Sequence, residues 1–311
     1  MDKDELKNLI IYTGVYYADN ELYRTRSQIW FKTFDNAQRL GIRVVVRNDG
    51  GLPEEMLTRI KAYSNITIIE KDTSKKNTLG SGRREALQKA IDIAKEDGIS
   101  NPVFLWTEPE KDDLITEKNL LPLVREVLAG NNIVVAAREK KAWDQLPPFQ
   151  RFMEKRANKR ANATIPAEHK PEAELDFWFA PKAFDESGAE EMLAYNPNKD
   201  RLDLWDSIMV PIVEAMKKGK KVKGLPVDFL YNEKQIEVES DESNREIKIK
   251  RLEQYAQILK ELGDPEWKEF FENSKEELAR VKELRKDDPK LSGESGKEAR
   301  RSLVKKFLKM K

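Results

Sequence analysis

Glu108 and Glu110 stand two residues apart where an apolar run gives way to acids, in VFLWTEPEKDDL. In extended chain, positions two apart point the same way, so both carboxylates can reach one divalent ion. Oxygen ligands alone suit Mn2+ or Mg2+, ions that commonly bridge to substrate phosphates. The same acids, with Asp112 and Asp113, equally suit the solvated first turn of a helix. Asp49, in VRNDGG, closes a second β-branched run. A carboxylate there can accept hydrogen bonds from a nucleotide base or ribose, or simply belong to an Asn-Asp-Gly-Gly turn. Gly80 and Gly82 precede Arg83 and Arg84 in LGSGRR. Glycines ahead of a helix let backbone N–H groups approach a phosphate, and an arginine adds a forked donor. A plain turn with a solvated arginine pair fits the same letters. The segment lacks the Gly-Lys-Ser/Thr of a Walker loop and does not follow a strand as a dinucleotide fingerprint does. Asp203 and Asp206 flank Trp205 ahead of an apolar stretch. Either can serve as a general base or bind an acceptor, and either can cap a helix. His169 sits among polar residues and reads as exposed, with a ligand or proton-transfer role as the alternative.

Composition narrows the chemistry. The chain has 311 residues, enough for one large domain or a domain with an appendage. Charged residues are 36% of it, yet the net charge is +1, so no basic excess marks a nucleic-acid binder. With no cysteine, disulfides, thiolate metal sites and cysteine catalysis are excluded. One histidine excludes a multi-histidine metal site within one chain. The polar start MDKDELKN, followed by an apolar run too short to span a bilayer, predicts a cytoplasmic protein without a signal peptide.

These residues need elements to hold them. Short apolar runs at 9–12, 42–46, 66–69, 103–106 and 133–137 alternate with helix-like stretches, among them 83–97, closed by Gly98. That alternation predicts an α/β fold, a mostly parallel sheet covered by helices on both faces. Beyond Arg138 a helix over 143–163 carries Arg151, Lys155, Arg156, Lys159 and Arg160. Its basic face is either solvated or a surface for an acidic acceptor or lipid phosphate. An aromatic strand or turn at 175–179, a helix at 204–216 and a strand at 222–229 complete a domain over 1–240, divided at 138. A helical extension follows over 241–285, then a polar linker and a basic helix to residue 311. The segment 297–311 holds seven Lys/Arg against one Glu. It reads as a terminal helix or as a peripheral contact with an anionic membrane.

The order of these pieces resembles the GT-A-fold nucleotide-sugar glycosyltransferases, particularly the family-2-like and mannosylglycerate-synthase-like groups. The resemblance covers about residues 9–229, in order and spacing rather than identity. It implies a Rossmann-like fold whose first strand, IIYTG, brings Thr13 and Gly14 to the donor site. It gives Asp49 to the base and Gly80, Gly82, Arg83 and Arg84 to the nucleotide. Glu108-Pro109-Glu110 takes the place of the Asp-x-Asp metal motif, and Arg138 ends the strand VVAAR. LDFWFAPKAF resembles the segment that shapes the sugar and acceptor pocket, and DLWDS brings Asp206, with Asp203, to the acceptor. The implied activity is metal-assisted transfer of a hexose from a nucleoside diphosphate sugar to a small-molecule or lipid-phosphate acceptor, with inversion or retention open. Glutamates in place of aspartates lengthen each arm, and the family's late metal-binding histidine has no counterpart after Asp206. A nucleotidyltransferase and a non-catalytic scaffold of the same fold are the alternatives. The first would carry a glycine-rich basic loop after strand one, where this chain reads TGVYYADNE.

Overall fold

The computed structural model describes residues 3–72, 74, 77–196 and 203–239, with scattered positions from 254 to 269. The chain divides into two compact units, Met1–Asp241 and Glu242–Lys311. In the first unit β1 (Leu9–Tyr16) is followed by α1 (Glu21–Arg39), β2 (Arg43–Gly50), α2 (Glu54–Lys61) and β3 (Ile66–Glu70). Then come α3 (Leu79–Glu96), β4 (Val103–Trp106), α4 (Glu117–Leu128), β5 (Ile133–Arg138), α5 (Lys140–Gln145) and α6 (Pro148–Ala163). The unit closes with β6 (Lys182–Phe184), α7 (Glu186–Ala194), α8 (Val210–Lys217), β7 (Val222–Val227) and α9 (Glu233–Glu239). The seven strands form one sheet in the order β3-β2-β1-β4-β6-β5-β7. Only β6 runs against its neighbours; the other pairings are parallel.

Both faces are covered, as the near-continuous apolar strands require. Successive side chains leave a strand on opposite faces. Ile11, Val44, Val46 and Leu105 pack with Trp30 and Phe34 of α1 and Leu120 and Val124 of α4 in one apolar cluster. The alternate residues Ile10, Tyr12, Val45 and Phe104 are equally buried. On their side α3 packs on β1 and β2, and α7 packs on β4 and β6.

The fold is the expected mostly parallel α/β sheet; the second half departs in detail. The aromatic stretch 175–179 is a turn leading into β6, a three-residue strand too short for any periodicity to announce. The helix expected over 204–216 is a 3-10 turn, Asp206–Ile208, and then α8, which starts with Pro211 in its first turn. In the second unit Tyr255, Ile258 and Leu259 are helical and buried at helical spacing. The linker and the basic helix expected over 286–311 lie outside the described residues. No described helix is long and apolar enough to cross a membrane.

Candidate functional site

In the sheet order, β2 and β3 extend from β1 in one direction and β4, β6, β5 and β7 in the other. The crevice outside the carboxyl ends of β1 and β4 is therefore a topological switch point, where open α/β sheets bind ligands. Thr13 and Gly14 come to it from β1, Arg47 and Asp49 from β2, and Trp106, Thr107 and Glu108 from β4 and its end.

Asp49 is hydrogen-bonded by Arg47, which also donates to Glu85 at 2.9 Å and Asn77 at 2.7 Å. Burial pushes the Asp49 carboxyl above its usual range, against the charges of Arg47 and Arg83. Gly14 lies against it, since a Cβ there would stand 2.8 Å from Asp49 Oδ2. Thr13 is 1% exposed and its hydroxyl makes no hydrogen bond among the described residues. Such orphaned polar atoms are rare in folded proteins, and each needs an explanation.

The start of α3 is not the phosphate cradle expected of Gly80 and Gly82. Thr78 caps the helix in a reciprocal pair with Ser81. The Gly80 N–H donates to Asp203 O at 2.8 Å, Ser81 N–H to Thr78 Oγ1 at 2.9 Å and Gly82 N–H to Thr78 O at 3.1 Å. Those amides are already used. The glycines serve close packing instead. A Cβ on Gly80 would fall inside the Asp203 carboxylate, and one on Gly82 would stand 2.5 Å from Arg47 Nη1.

The adjacent arginines diverge. Arg84 makes a forked pair with Asp203, both bonds at 2.8 Å, and Asp203 sits at a φ of 51°. Each of these expected site residues satisfies the other, which makes them a clasp between α3 and the 203–207 segment. Arg83 instead lies with its guanidinium 4.9 Å from the centre of the Trp106 ring. Its Nη1 donates to Leu204 O and Ser207 Oγ, each at 2.9 Å, while its buried Nε has no partner among the described residues. Burial lowers its pKa despite the nearby acidic groups Glu108, Tyr12, Asp206 and Asp49. Those neighbours place Arg83 at the meeting point of β1, β2, β4 and the 203–207 segment.

Two expected roles do not fit the geometry. Asp206 is 0% exposed, accepting from Tyr195 Oη and from Leu204 N, each at 2.7 Å. It fastens its own loop and presents no base to an acceptor. Arg138 is buried between Asp176 and Glu154, stacked 3.8 Å from the Trp143 ring centre, and donates to Tyr231 Oη at 3.0 Å. It is a keystone of the second half, not a phosphate ligand.

The Glu-Pro-Glu pair is likewise turned to the chain's own cations. Glu108 meets Lys111 Nζ at 3.1 Å, and its side chain is half-exposed. Burial opposes its charge, but Lys111 and Arg26 outweigh that and hold the carboxyl below its usual range. Glu110 is buried 3.7 Å from Arg26 Nε, and Arg26 Nη2 meets Glu239 of α9 at 2.6 Å. Burial and the charge of Glu108 push Glu110 up. Among the described residues no three His, Cys, Asp or Glu side chains converge as metal ligands. With each glutamate committed to a cation, the residues as placed do not fit a divalent ion.

Sequence reading missed Arg47, Arg26, Lys111 and Lys182. Arg47 carried one signal, a charge ending the apolar run VVVR. His169 is half-buried at the end of a short 3-10 turn, Ala167–His169, away from these groups in sequence.

No family profile matches the chain, and no curated protein does. Solved structures similar to it include a Desulfovibrio desulfuricans protein described as a nucleotide-diphospho-sugar transferase, at 12% identity and a TM-score of 0.40. That likeness covers 81% of this chain and 98% of the other. The 4-diphosphocytidyl-2C-methyl-D-erythritol synthase of Anaerococcus prevotii is similar at 12% identity and 0.39, over 75% of this chain and 96% of its own. S. aureus TarS is similar at 10% and 0.39, over 97% and 92%. Likeness at that level decides nothing about ligand or reaction. Near the switch point stand the unspent Nε of Arg83 and the unspent hydroxyl of Thr13, both buried, and the carboxylate of Asp49.

Proposed function

We propose that the chain binds a nucleoside diphosphate sugar in the β1/β4 crevice and transfers its hexose to an acceptor hydroxyl. The observation that carries this is Arg83, a guanidinium stacked on Trp106 with one buried N–H unspent, at the carboxyl ends of β1 and β4. Forked cationic donors recognise phosphate oxygens well. Asp49 would accept from the base or ribose, with Gly14 leaving room for it. In glycosyl transfer, negative charge develops on the departing diphosphate, and a fixed Arg83 stabilises it without reorganising. Glu108, half-exposed and held ionised by Lys111, would orient the acceptor hydroxyl. Nothing in this scheme passes through a metal.

A panel of UDP-, GDP- and ADP-hexoses tests the reading by calorimetry, in EDTA and again with added manganese. Wild type should bind at least one donor in EDTA. Arg83→Met should weaken it about 10- to 100-fold, the range for a hydrogen bond to a charged group. Absence of binding across the panel, or an Arg83→Met affinity equal to wild type, overturns the reading. Preference for a nucleoside triphosphate over every nucleotide sugar would turn it toward nucleotidyl transfer.

A further inference from the structure

The 108–111 segment is a turn, and the extended geometry that would aim both glutamates at one ion is absent from it. The Lys111 N–H donates to Glu108 O at 3.2 Å, which brings the Lys111 ammonium back to the Glu108 carboxylate. Helix α1 fixes the turn, since Thr33 Oγ1 donates to Pro109 O at 2.7 Å and Asn36 Nδ2 to Asp112 O at 3.0 Å. The same helix supplies Arg26, whose guanidinium faces Glu110 through Nε and holds Glu239 through Nη2. Each cation also lies near a ring, Lys111 Nζ 4.9 Å from the centre of Tyr231 and Arg26 5.8 Å from that of Tyr23. Lys111 is 5% exposed, so its charge is spent inside the protein. The two carboxylates of the motif thus face two built-in positive charges, the sum that one divalent ion would bring. Glu239 adds a third carboxylate at another edge of Arg26.

We infer that Lys111 and Arg26 are resident cations standing where the Glu-Pro-Glu spacing points to a metal. They supply the counter-charge of the turn permanently, and the turn takes up no divalent ion while they are in place. Lys111 is then a positioning residue that acts through Glu108, and a free ion is a competitor for its place. A partly buried carboxylate left without its cation is costly, so removing the ammonium opens the acids of the turn to another cation. That a donor diphosphate is consequently held without divalent metal rests on the function proposed above; the exchange of one cation for another does not.

Manganese alone, added to the full chain without nucleotide, tests the exchange by electron paramagnetic resonance of the free ion and by thermal melts. Uptake of Mn2+ by wild type should equal that of Glu110→Gln, and Mn2+ in place of EDTA should shift the two melts alike. Lys111→Ala should melt about 3–10 °C below wild type in EDTA, the loss of one partner from a half-exposed pair. Mn2+ should bind to this variant and restore part of the loss. The n-propylammonium ion, which has the form of the deleted side chain, should do the same. Neither cation should act on a double variant, Lys111→Ala with Glu108→Gln. Rescue by a free cation is a readout that a merely space-filling Lys111 would not give. Wild-type uptake that Glu110→Gln abolishes overturns the inference, even if Lys111→Ala does not fold. So does a folded Lys111→Ala that neither cation stabilises. With UDP-glucose and GDP-mannose, wild-type affinity should be the same in EDTA and in Mn2+; a gain with Mn2+ that Glu108→Gln removes also overturns it. Wild type that takes up no Mn2+ at the turn and binds no nucleotide sugar keeps its resident cations and overturns the functional reading.

Discussion

Arg83 rests on an indole and keeps its buried Nε–H unspent, whereas Arg84 spends its fork on Asp203. No local rule separates two neighbouring arginines. Their fates are decided by Asp203 and Ser207, more than a hundred positions later, so the pair was legible only as a pair. The same holds for Asp206, whose letters suit a base as well as a loop anchor until Tyr195 is seen to cap it. Titration offers two tests of opposite sign. Burial opposes the charge of Asp176, but Arg138 and Asn158 outweigh it and lower its pKa from 3.8. A carboxyl lowered by folding contributes stability that is present above its unfolded value and lost as pH falls through its folded one. Asp176→Asn should therefore cost about 3–5 kcal/mol at pH 7, a loss that shrinks on acidification below pH 4 in chemical denaturation. Lys182 reverses the argument. Folding lowers its pKa from 10.5 to about 7, so the folded chain binds fewer protons between those values. Stability relative to Lys182→Met should rise as pH climbs from 7 toward 10; thermal melts of the two proteins decide it.

Among the elements, α3 and α6 show what their sequences hid. The glycines of α3 read as a phosphate loop, whereas the helix start is capped by Thr78 and Ser81 and the glycines admit Asp203 and Arg47. Gly80→Ala should destabilise by about 1–3 kcal/mol through overpacking, although alanine is the better helix former by ~1 kcal/mol; urea unfolding measures the balance. The basic residues of α6 drew attention to its outer face. Its inner face buries Gln150, Glu154, Asn158 and Asn162, one per turn. Gln150 bonds Glu154, Asn158 bonds Asp176 and the Trp178 N–H, and Asn162 bonds both backbone groups of Leu175. Polar residues every fourth position ordinarily signal solvent. The 175–178 segment, itself without regular structure, gives Asn158 and Asn162 their partners, and Arg138 gives Glu154 its own. Asn158→Ala should cost about 1–3 kcal/mol by stranding the Trp178 N–H and removing one of the two donors to Asp176 Oδ1, read by the same unfolding experiment.

At the scale of the molecule, the alternation of apolar runs made the parallel sheet readable, and with it the edge where a ligand belongs. Strand order was not readable, because β6 is three residues long and enters between β4 and β5 against their direction. The sheet should exchange amides unevenly: β1 and β4, central and buried, slowest, and β3, an edge strand of half-buried residues, fastest. Equal rates for β3 and β1 in native-state hydrogen exchange would contradict the layering. The crevice joins residues from opposite ends of this unit, since Arg83 is held by Leu204 and Ser207. A nascent chain therefore has no finished pocket until the ribosome has passed residue 207. Small-molecule capture would then report that synthesis has passed its first two thirds.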